Sequence, residues 1–165
     1  MFTKGEYMKT VEMTKSEILK TRDVLNNIKE TNSGKSIKFQ YAVLSNLRKV
    51  FVSKAELIEE LRNQKLIPIE QEKFEISKMY GELDANGELV IKNNGKNTYV
   101  PIPEENKQIV NEKMNEIFSK HFETIKEIET FLNTKEEFEV FDIDVNDCDG
   151  IDIKTMDLIY PLLKE

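Results

Sequence analysis

The sequence predicts a mostly helical α+β fold, in which helical arms are joined by a β-hairpin tip and followed by a small C-terminal β element. Three observations predict it. Apolar side chains recur at helical spacing through residues 14–80. Two β-prone runs then flank an Asn-Gly pair within residues 81–103, and apolar and acidic residues alternate after Thr134. A chain of 165 residues with 39% hydrophobic content can build a core of this kind.

We interpret the chain as a single domain made of five consecutive segments. They are a flexible tail (1–13), a helical arm (14–80), a β-hairpin (81–103), a returning helix (104–133) and an acidic strand-turn-helix element (134–165). No internal repeat or low-complexity linker divides them.

A capping box marks the start of the first helix. The hydroxyl of Thr14 can accept a hydrogen bond from the third helical amide while Glu17 accepts one from the amide of Thr14. Met13 and Ile18 are spaced for the accompanying hydrophobic staple. The helix should therefore begin directly after Thr14, and Gly34 is placed to end it in a left-handed conformation.

A second helix is predicted over residues 37–51. Its predicted core stripe consists of Ile37, Tyr41, Leu44, Leu47 and Phe51. Ser53 and Glu56 repeat the capping-box pattern, which favours a break or bend there. Pro68 should kink or interrupt the following helix because proline lacks the amide hydrogen, and Gly81 marks the end of the arm.

The hairpin is predicted from two β-prone runs, residues 89–91 and 98–100, on either side of Asn94 and Gly95. An Asn-Gly pair can adopt the positive φ angles of a tight type I′ turn. Pro103 should open the returning helix, since proline presets φ for a helix start. The apolar stripe of that helix consists of Val110, Met114, Ile117, Phe118, Phe122 and Ile125.

Strand periodicity follows Thr134. Phe141, Ile143 and Val145 alternate with Asp142 and Asp144, so we interpret this segment as a strand and the capping-box match at residues 134–137 as a false one. The rest of the chain is predicted as a turn at residues 147–150, a short strand at residues 151–153 and a final helical turn with Thr155 as its N-cap.

Charge is distributed unevenly along the chain. Residues 1–80 hold 15 Lys and Arg against 11 Asp and Glu, whereas residues 81–165 hold 9 against 20. An acidic half of this kind argues against direct nucleic-acid binding, which needs clustered cations. No apolar run reaches the length of a membrane span, and the single cysteine, Cys148, excludes an intramolecular disulfide. We expect a cytoplasmic protein without membrane contacts.

The acidic loop is the best candidate for a metal site. Asp144, Asn146 and Asp149 with Gly150 approach the spacing of an EF-hand calcium loop, but with one residue too many. Counting back from Gly150 places Val145 at the first ligand position, where it cannot ligate. A solvated turn between two strands accounts better for this segment.

The sequence carries no recognisable catalytic constellation. Residues 33–36, Ser-Gly-Lys-Ser, match only the end of a phosphate-binding P-loop and join two helices. His121 is the only histidine, which excludes any paired-histidine mechanism, and a catalytic thiol at Cys148 would need that histidine beside it. We therefore predict no catalytic residue, no cofactor and a non-enzymatic protein.

The chain has a basic, capped first helix, an arm that ends in Tyr80 and Gly81, an Asp-Ala-Asn-Gly-Glu-Leu-Val-Ile hairpin and a C-terminal Ile-Asp-Ile-Lys-Thr-Met-Asp-Leu-Ile-Tyr run. In this layout it resembles small uncharacterised bacteriophage proteins of low-GC hosts. The likeness spans most of the chain and implies no catalytic residues. The helical arm with a hairpin tip is also similar to prefoldin-type chaperones, from which Pro68 and the acidic tail depart.

The resemblance implies a bacteriophage protein that binds a phage or host protein, as a small virion or assembly component or as an accessory factor. It would reside in the cytoplasm of the infected host or in the virion, and an oligomer is compatible with the sequence. The alternative is an inhibitor of a host defence or nucleic-acid enzyme whose acidic C-terminal surface imitates phosphate. The expected partner contacts are Asn94, Gly95 and Lys96 at the hairpin tip and Asp142, Asp144, Asp147 and Asp149 in the acidic loop.

Overall fold

The computed structural model describes residues 8–31 and 36–164, and it divides into two compact units. Unit 1 comprises the chain up to Leu61 together with the chain from Glu129 onward, and unit 2 comprises Arg62–Ile128. The fold is of the mostly helical α+β class with small two-stranded sheets, as predicted. The division into two units was not predicted, because no change of composition marks it.

The described residues contain six α-helices and six strands. The helices are α1 (Lys15–Thr31), α2 (Ile37–Asn46), α3 (Val52–Met79), α4 (Lys107–Lys120), α5 (Phe122–Asn133) and α6 (Ile153–Ile159). The strands are β1 (Met8–Thr14), β2 (Lys92–Asn93), β3 (Thr98–Tyr99), β4 (Lys135–Phe141), β5 (Ile143–Asp144) and β6 (Leu163–Lys164). A π-helical turn covers Leu47–Phe51, and 3-10 turns cover Glu104–Asn106, Val145–Asp147 and Tyr160–Leu162.

The sheet of unit 1 pairs the first strand with a distant one. β1 runs antiparallel to β4, with Met8 opposite Phe141 and Thr14 opposite Lys135. The flexible tail predicted for residues 1–13 is therefore wrong for residues 8–13, while residues 1–7 lie outside the described residues. Val11 and Met13 point into the core and alternate with exposed neighbours, which is strand periodicity over too few residues to stand out in the sequence.

The capping box at the start of α1 is confirmed. The amide of Thr14 donates to Glu17 Oε2 at 2.7 Å, and the amide of Glu17 donates to Thr14 Oγ1 at 3.1 Å. Met13 and Ile18 are both buried, as the predicted staple requires. The left-handed cap predicted at Gly34 lies outside the described residues.

The core face of α2 differs from the predicted stripe. Ile37 and Tyr41 are 86% and 57% exposed, whereas Phe39 and Val43 are buried. The core face of α2 includes a polar residue, the fully buried Asn46. A stripe chosen from apolar residues alone omits Asn46 and therefore predicts the wrong orientation of the helix. The whole core of unit 1 includes Met13, Ile18, Leu25, Phe39, Phe51, Val140, Ile143, Ile159 and Leu162.

The helical arm has no break at Ser53. The chain passes through the π-helical turn directly into α3, and the Ser53 hydroxyl donates to Val50 O at 3.4 Å in place of a cap. Pro68 lies inside α3, so the predicted break at Ser53 and the predicted interruption at Pro68 are wrong, whereas the alternatives of a bend at Ser53 and a kink at Pro68 stay predictions. The stop before Gly81 is confirmed, since α3 ends at Met79.

In unit 2 the hairpin is present, but its turn is not type I′. Lys92 lies opposite Tyr99 and a four-residue loop joins the strands. Gly95 has φ +85°, but in the described part of the chain only glycines have a positive φ, so Asn94 does not. A type I′ turn needs two such angles, so that prediction is wrong. The returning helix is divided at His121 into α4 and α5.

The C-terminal element contains the predicted turn and a longer helix than predicted. The strand predicted through Phe141, Ile143 and Val145 is only partly present, because β4 ends at Phe141, β5 covers Ile143–Asp144 and Val145 opens a 3-10 turn. Glu137 lies within β4, which confirms that the box at Thr134 does not start a helix. Gly150 has φ +80°, in keeping with the predicted turn. The strand predicted for residues 151–153 is wrong, because Ile153 opens α6 and Asp152 caps it by accepting from the amide of Thr155 at 2.9 Å.

Candidate functional site

The two predicted contact regions lie in different units. The hairpin loop of Asn94, Gly95 and Lys96 is exposed in unit 2. Asn94 stabilises that loop itself, because its Oδ1 accepts from the amides of Lys96 and Asn97 at 3.1 and 2.8 Å. The acidic loop belongs to unit 1.

Asp144 in the acidic loop serves the local fold. Its Oδ1 accepts from the amide and from Nδ2 of Asn146, both at 3.0 Å, and Lys38 Nζ lies 3.7 Å from its Oδ2. The backbone hydrogen bond from Asn146 lowers the pKa of Asp144 most, and the side chain of Asn146 and the charge of Lys38 act in the same direction. This aspartate caps a turn, so it cannot be removed without loosening the loop.

The other loop acids do not assemble around an ion. Asp149 is exposed, whereas Asp142 and Asp147 are half-buried. Within residues 8–31 and 36–164, no group of three or more His, Cys, Asp or Glu side chains is arranged to hold a metal. The geometry therefore gives the calcium interpretation of Asp144, Asn146 and Asp149 no support.

The remaining candidate residues have structural surroundings. Ser36 is the N-cap of α2, since its Oγ accepts from the amide of Phe39 at 3.1 Å. His121 Nε2 lies 3.0 Å from Glu72 Oε1, beside the ion pair of that carboxylate with Lys120. Cys148 is buried in the core cluster of unit 1, where its thiol donates to Asp144 O at 3.5 Å, and His121 belongs to unit 2.

The outer edge of β1 is the feature that the sequence analysis missed. In an antiparallel pair, alternate residues direct their main-chain groups toward the partner strand and the others direct them away. The amide of Lys15 donates to Thr134 O at 3.1 Å, which assigns the odd-numbered residues of β1 to β4. Thr10 and Glu12 consequently point their main-chain groups outward, and so does Thr14, whose amide is bound by Glu17.

No strand covers this outer edge in the described part of the chain. The sheet contains only β1 and β4, and no hydrogen bond of the outward main-chain groups of Thr10 or Glu12 is found there. Unpaired main-chain donors and acceptors on a strand edge are available for pairing with another strand. The edge therefore presents main-chain donors and acceptors that no described residue is seen to pair.

A groove of about 440 Å³ runs beside this edge. One wall is β1 and the other is the C-terminal segment that includes β6, which pairs in parallel with β5. Lys9 Nζ donates to Leu163 O at 2.6 Å and links the two walls. The lining residues are Lys9, Thr10, Val11, Glu12, Val145, Tyr160, Pro161, Leu163 and Lys164. Apolar side chains of the C-terminal wall, such as Tyr160 and Val145, remain half-exposed.

The solvent face of the same sheet is acidic. Glu137 lies directly opposite Glu12, and Glu139 lies opposite Thr10, with all four side chains exposed. Lys135 Nζ donates to Glu12 Oε1 at 2.6 Å, and this hydrogen bond raises the pKa of the lysine. Three carboxylates against one ammonium group leave the face with a surplus of negative charge next to the open edge.

Glu136 anchors β4 from the opposite face of the sheet. Its carboxylate contacts Lys54 Nζ at 2.9 Å and Lys15 Nζ at 3.2 Å, which ties the strand to α3 and α1. The hydrogen bond from Lys54 contributes most to a lowered pKa of Glu136, with a further contribution from Lys15. This ion cluster holds the strand that supports β1.

Protonation of Glu136 should weaken unit 1 in acid. Because its folded pKa is lowered, its stabilising contribution is complete above the unfolded pKa of about 4.3 and is lost as pH falls through the folded pKa. Glu136→Gln should therefore melt below wild type at pH 7, and the difference in melting temperature should shrink as pH falls below about 4. Glu56→Gln, at an exposed position of α3, is the control and should follow wild type throughout. A constant difference between Glu136→Gln and wild type across this range would contradict the assignment.

Comparison with known proteins adds no family to this geometry. No protein-family profile, curated protein or solved structure matches the chain. Among the described helices, none has both the length and the apolar character needed to cross a membrane.

Proposed function

We propose that the protein is a non-enzymatic bacteriophage protein that acts by binding another protein, as a small virion or assembly component or as an accessory factor. The observation that carries this proposal is the open edge of β1 beside the groove of about 440 Å³. Exposed strand edges pair readily with other chains, and peptide recognition by strand addition uses such an edge together with neighbouring pockets for side chains.

Other polar side chains of unit 1 that contact one another have structural roles, which is compatible with a protein that acts by binding. Arg22 donates to both carboxylate oxygens of Glu59 at 2.9 and 2.8 Å, which ties α1 to α3. Asp144 caps a 3-10 turn, and Asp152 caps α6. These groups are engaged in structural contacts, whereas the main-chain groups of the β1 edge are presented outward.

A second candidate function is inhibition of a host defence or nucleic-acid enzyme by imitation of phosphate. It is favoured by the three exposed carboxylates of Glu12, Glu137 and Glu139 on one face of the sheet. Proteins that bind nucleic acid through its backbone make about 6–10 phosphate contacts, so this face would satisfy only part of such a site. We therefore place binding through the strand edge first.

The proposal predicts that partner binding depends on the β1 edge. Thr10→Pro removes an outward amide, and it leaves the ladder to β4 intact because that amide does not face β4. Tagged wild-type protein should retain a partner in stoichiometric amount from an extract of phage-producing cells, and Thr10→Pro should retain at least about tenfold less. Quantitative mass spectrometry of the retained proteins measures the ratio.

Two further variants separate the candidate functions. Glu56→Lys with Glu60→Lys reverses two exposed charges on α3 and should retain the partner. Glu137→Lys with Glu139→Lys reverses charge on the sheet face, and loss of a nucleic-acid enzyme with this variant alone would favour phosphate imitation. Equal retention by wild type and Thr10→Pro would refute binding through the edge. Presence of the chain in purified particles would distinguish a virion component from an accessory factor.

A further inference from the structure

We infer that the groove beside β1 binds an extended segment of the partner protein in which basic and apolar side chains alternate. This inference rests on the proposed protein-binding function and specifies the chemistry of the partner. It combines three features of unit 1, namely the open main-chain edge, the apolar wall of the groove and the surplus of carboxylates on the sheet face.

The open edge requires an extended segment. The N–H and C=O groups of Thr10 and Glu12 are directed away from β4 and have strand spacing. Only an extended chain presents its own donors and acceptors at the matching repeat, in which every second residue faces the same neighbour. A helix satisfies its main-chain groups internally and offers none to such an edge.

The two faces of the added strand would meet different chemistry. Successive side chains of a strand point to opposite sides, so one set would share the outer face of the sheet with Thr10 and Glu12. The other set would point toward the C-terminal wall, where Val145, Tyr160 and Leu163 line the groove. That wall selects apolar side chains, since burying them there removes apolar surface from water on both partners.

Charge complementarity favours basic residues among the side chains that share the outer face of the sheet. Side chains on the outer face would lie beside Glu12, about 5 Å away between Cβ atoms, and two strand spacings, about 10 Å, from Glu137 and Glu139 on β4. Glu137 and Glu139 on β4 have no basic side chain opposite them on β1, because their partners in the register are Glu12 and Thr10. Lys or Arg on the added strand would compensate this charge, whereas Asp or Glu would add to the repulsion.

A short synthetic peptide tests the inference directly. The probe is acetyl-Lys-Val-Lys-Val-Lys-Val-Lys-amide with a fluorescent label, titrated with the full chain and followed by fluorescence anisotropy. It should bind at least about tenfold more tightly than the Glu-Val analogue of the same length. Its affinity should fall with added salt, as expected for exposed charge pairs. Glu137→Lys with Glu139→Lys should abolish the preference, and the charge-matched Glu56→Lys with Glu60→Lys should preserve it.

Methylation of the peptide amides tests strand pairing without altering the protein. N-methyl groups on either the Lys amides or the Val amides remove every second donor, and only one of these sets faces β1. One methylated peptide should lose binding and the other should keep it. Equal effects of the two methylations would overturn strand addition, even if the Thr10→Pro variant failed to fold.

Other outcomes identify other occupants or separate the two proposals. A dimer in sedimentation that Thr10→Pro converts to a monomer would show that a second copy of this chain occupies the edge, and would overturn the inference. Equal binding of the Lys-Val and Glu-Val peptides would overturn the basic-apolar chemistry while leaving edge-dependent partner capture intact. Capture that is independent of the edge would instead refute binding through the edge, on which the proposed function is argued, whatever the peptide does.

Discussion

Replacing Asn46 with leucine should lower the free energy of unfolding of unit 1 by about 3 kcal/mol. Asn46 is fully buried, its Nδ2 donates to Phe141 O at 2.8 Å, and its Oδ1 accepts from the amide of Phe141 at 2.7 Å. The amide group thus takes the place of a neighbouring strand at the end of β4. Leucine would leave both main-chain groups of Phe141 without the Asn46 partner in a partly buried setting, and each such loss costs about 1–3 kcal/mol when the group is buried.

Two variants test this explanation. Asn46→Asp keeps the acceptor for the amide of Phe141 but places a carboxylate against Phe141 O, so it should be destabilised at pH 7. Its deficit relative to wild type should shrink in acid, because a protonated carboxyl group can donate to that carbonyl. Asn27→Ala, at an exposed position of α1, should change stability by less than about 0.5 kcal/mol. Thermal and urea unfolding measure all three, and an Asn46→Leu variant as stable as wild type would refute the role of the amide.

Asn46 also explains which features of the fold could be predicted from the sequence. A local signal with a complete chemical logic was reliable, since the capping box of Thr14 and Glu17 starts α1. The alternation from Phe141 onward was a weaker guide, because β4 ends at that residue and β5 covers only Ile143–Asp144. The core face of α2 could not be predicted in the same way. Its orientation depends on a buried polar residue whose partner, Phe141, lies 95 residues away in the sequence.

The other fold errors have related physical causes. Ser53 and Glu56 have the side chains of a cap, but the buried Phe51 and Ala55 on either side favour a continuous helix, and tertiary packing outweighs a local cap. The N-cap of α6 is Asp152 and not the predicted Thr155, because the carboxylate of Asp152 accepts a hydrogen bond from the amide of Thr155. The division into two units leaves no compositional mark, since α3 and α5 each run from one unit into the other.

The candidate site depends even more on tertiary structure. The sequence shows acidic residues near the C-terminus, and this led to the prediction of the loop around Asp144 as the contact surface. In the structure Asp144 caps a turn within that loop, whereas the exposed carboxylates of Glu137 and Glu139 join Glu12 through the pairing of two strands that are far apart in the sequence. An open strand edge cannot be recognised before its one partner strand is known. The alternation of Val11 and Met13 with polar neighbours was the available signal for the strand itself.

Replacing Gly81 with alanine should destabilise the hairpin end of unit 2 by about 2–3 kcal/mol. A Cβ atom at this position would lie 2.3 Å from Val100 Cγ1, 2.8 Å from Leu89 Cδ1 and 2.8 Å from Ser77 O. Ser77 O belongs to the main chain of α3, and Val100 is buried and β-branched, so neither can yield at low cost. Glycine is required here by the close approach of three groups, and a methyl group forces the end of α3 away from the following strands.

Two other glycines provide matched controls, because glycine is favoured at these positions by a positive φ and not by close packing. Gly87 and Gly95 have φ +80° and +85°, and a Cβ atom at either would meet nothing within 4 Å. Alanine there should cost only about 1 kcal/mol, through backbone strain. Hydrogen exchange of residues 80–106 localises each effect, because the two units need not unfold together.

Val100→Ala removes Cγ1, so its combination with Gly81→Ala should cost less than the sum of the single changes. Strict additivity, or a Gly81→Ala cost no larger than that of Gly95→Ala, would show that close packing is not what reserves position 81 for glycine.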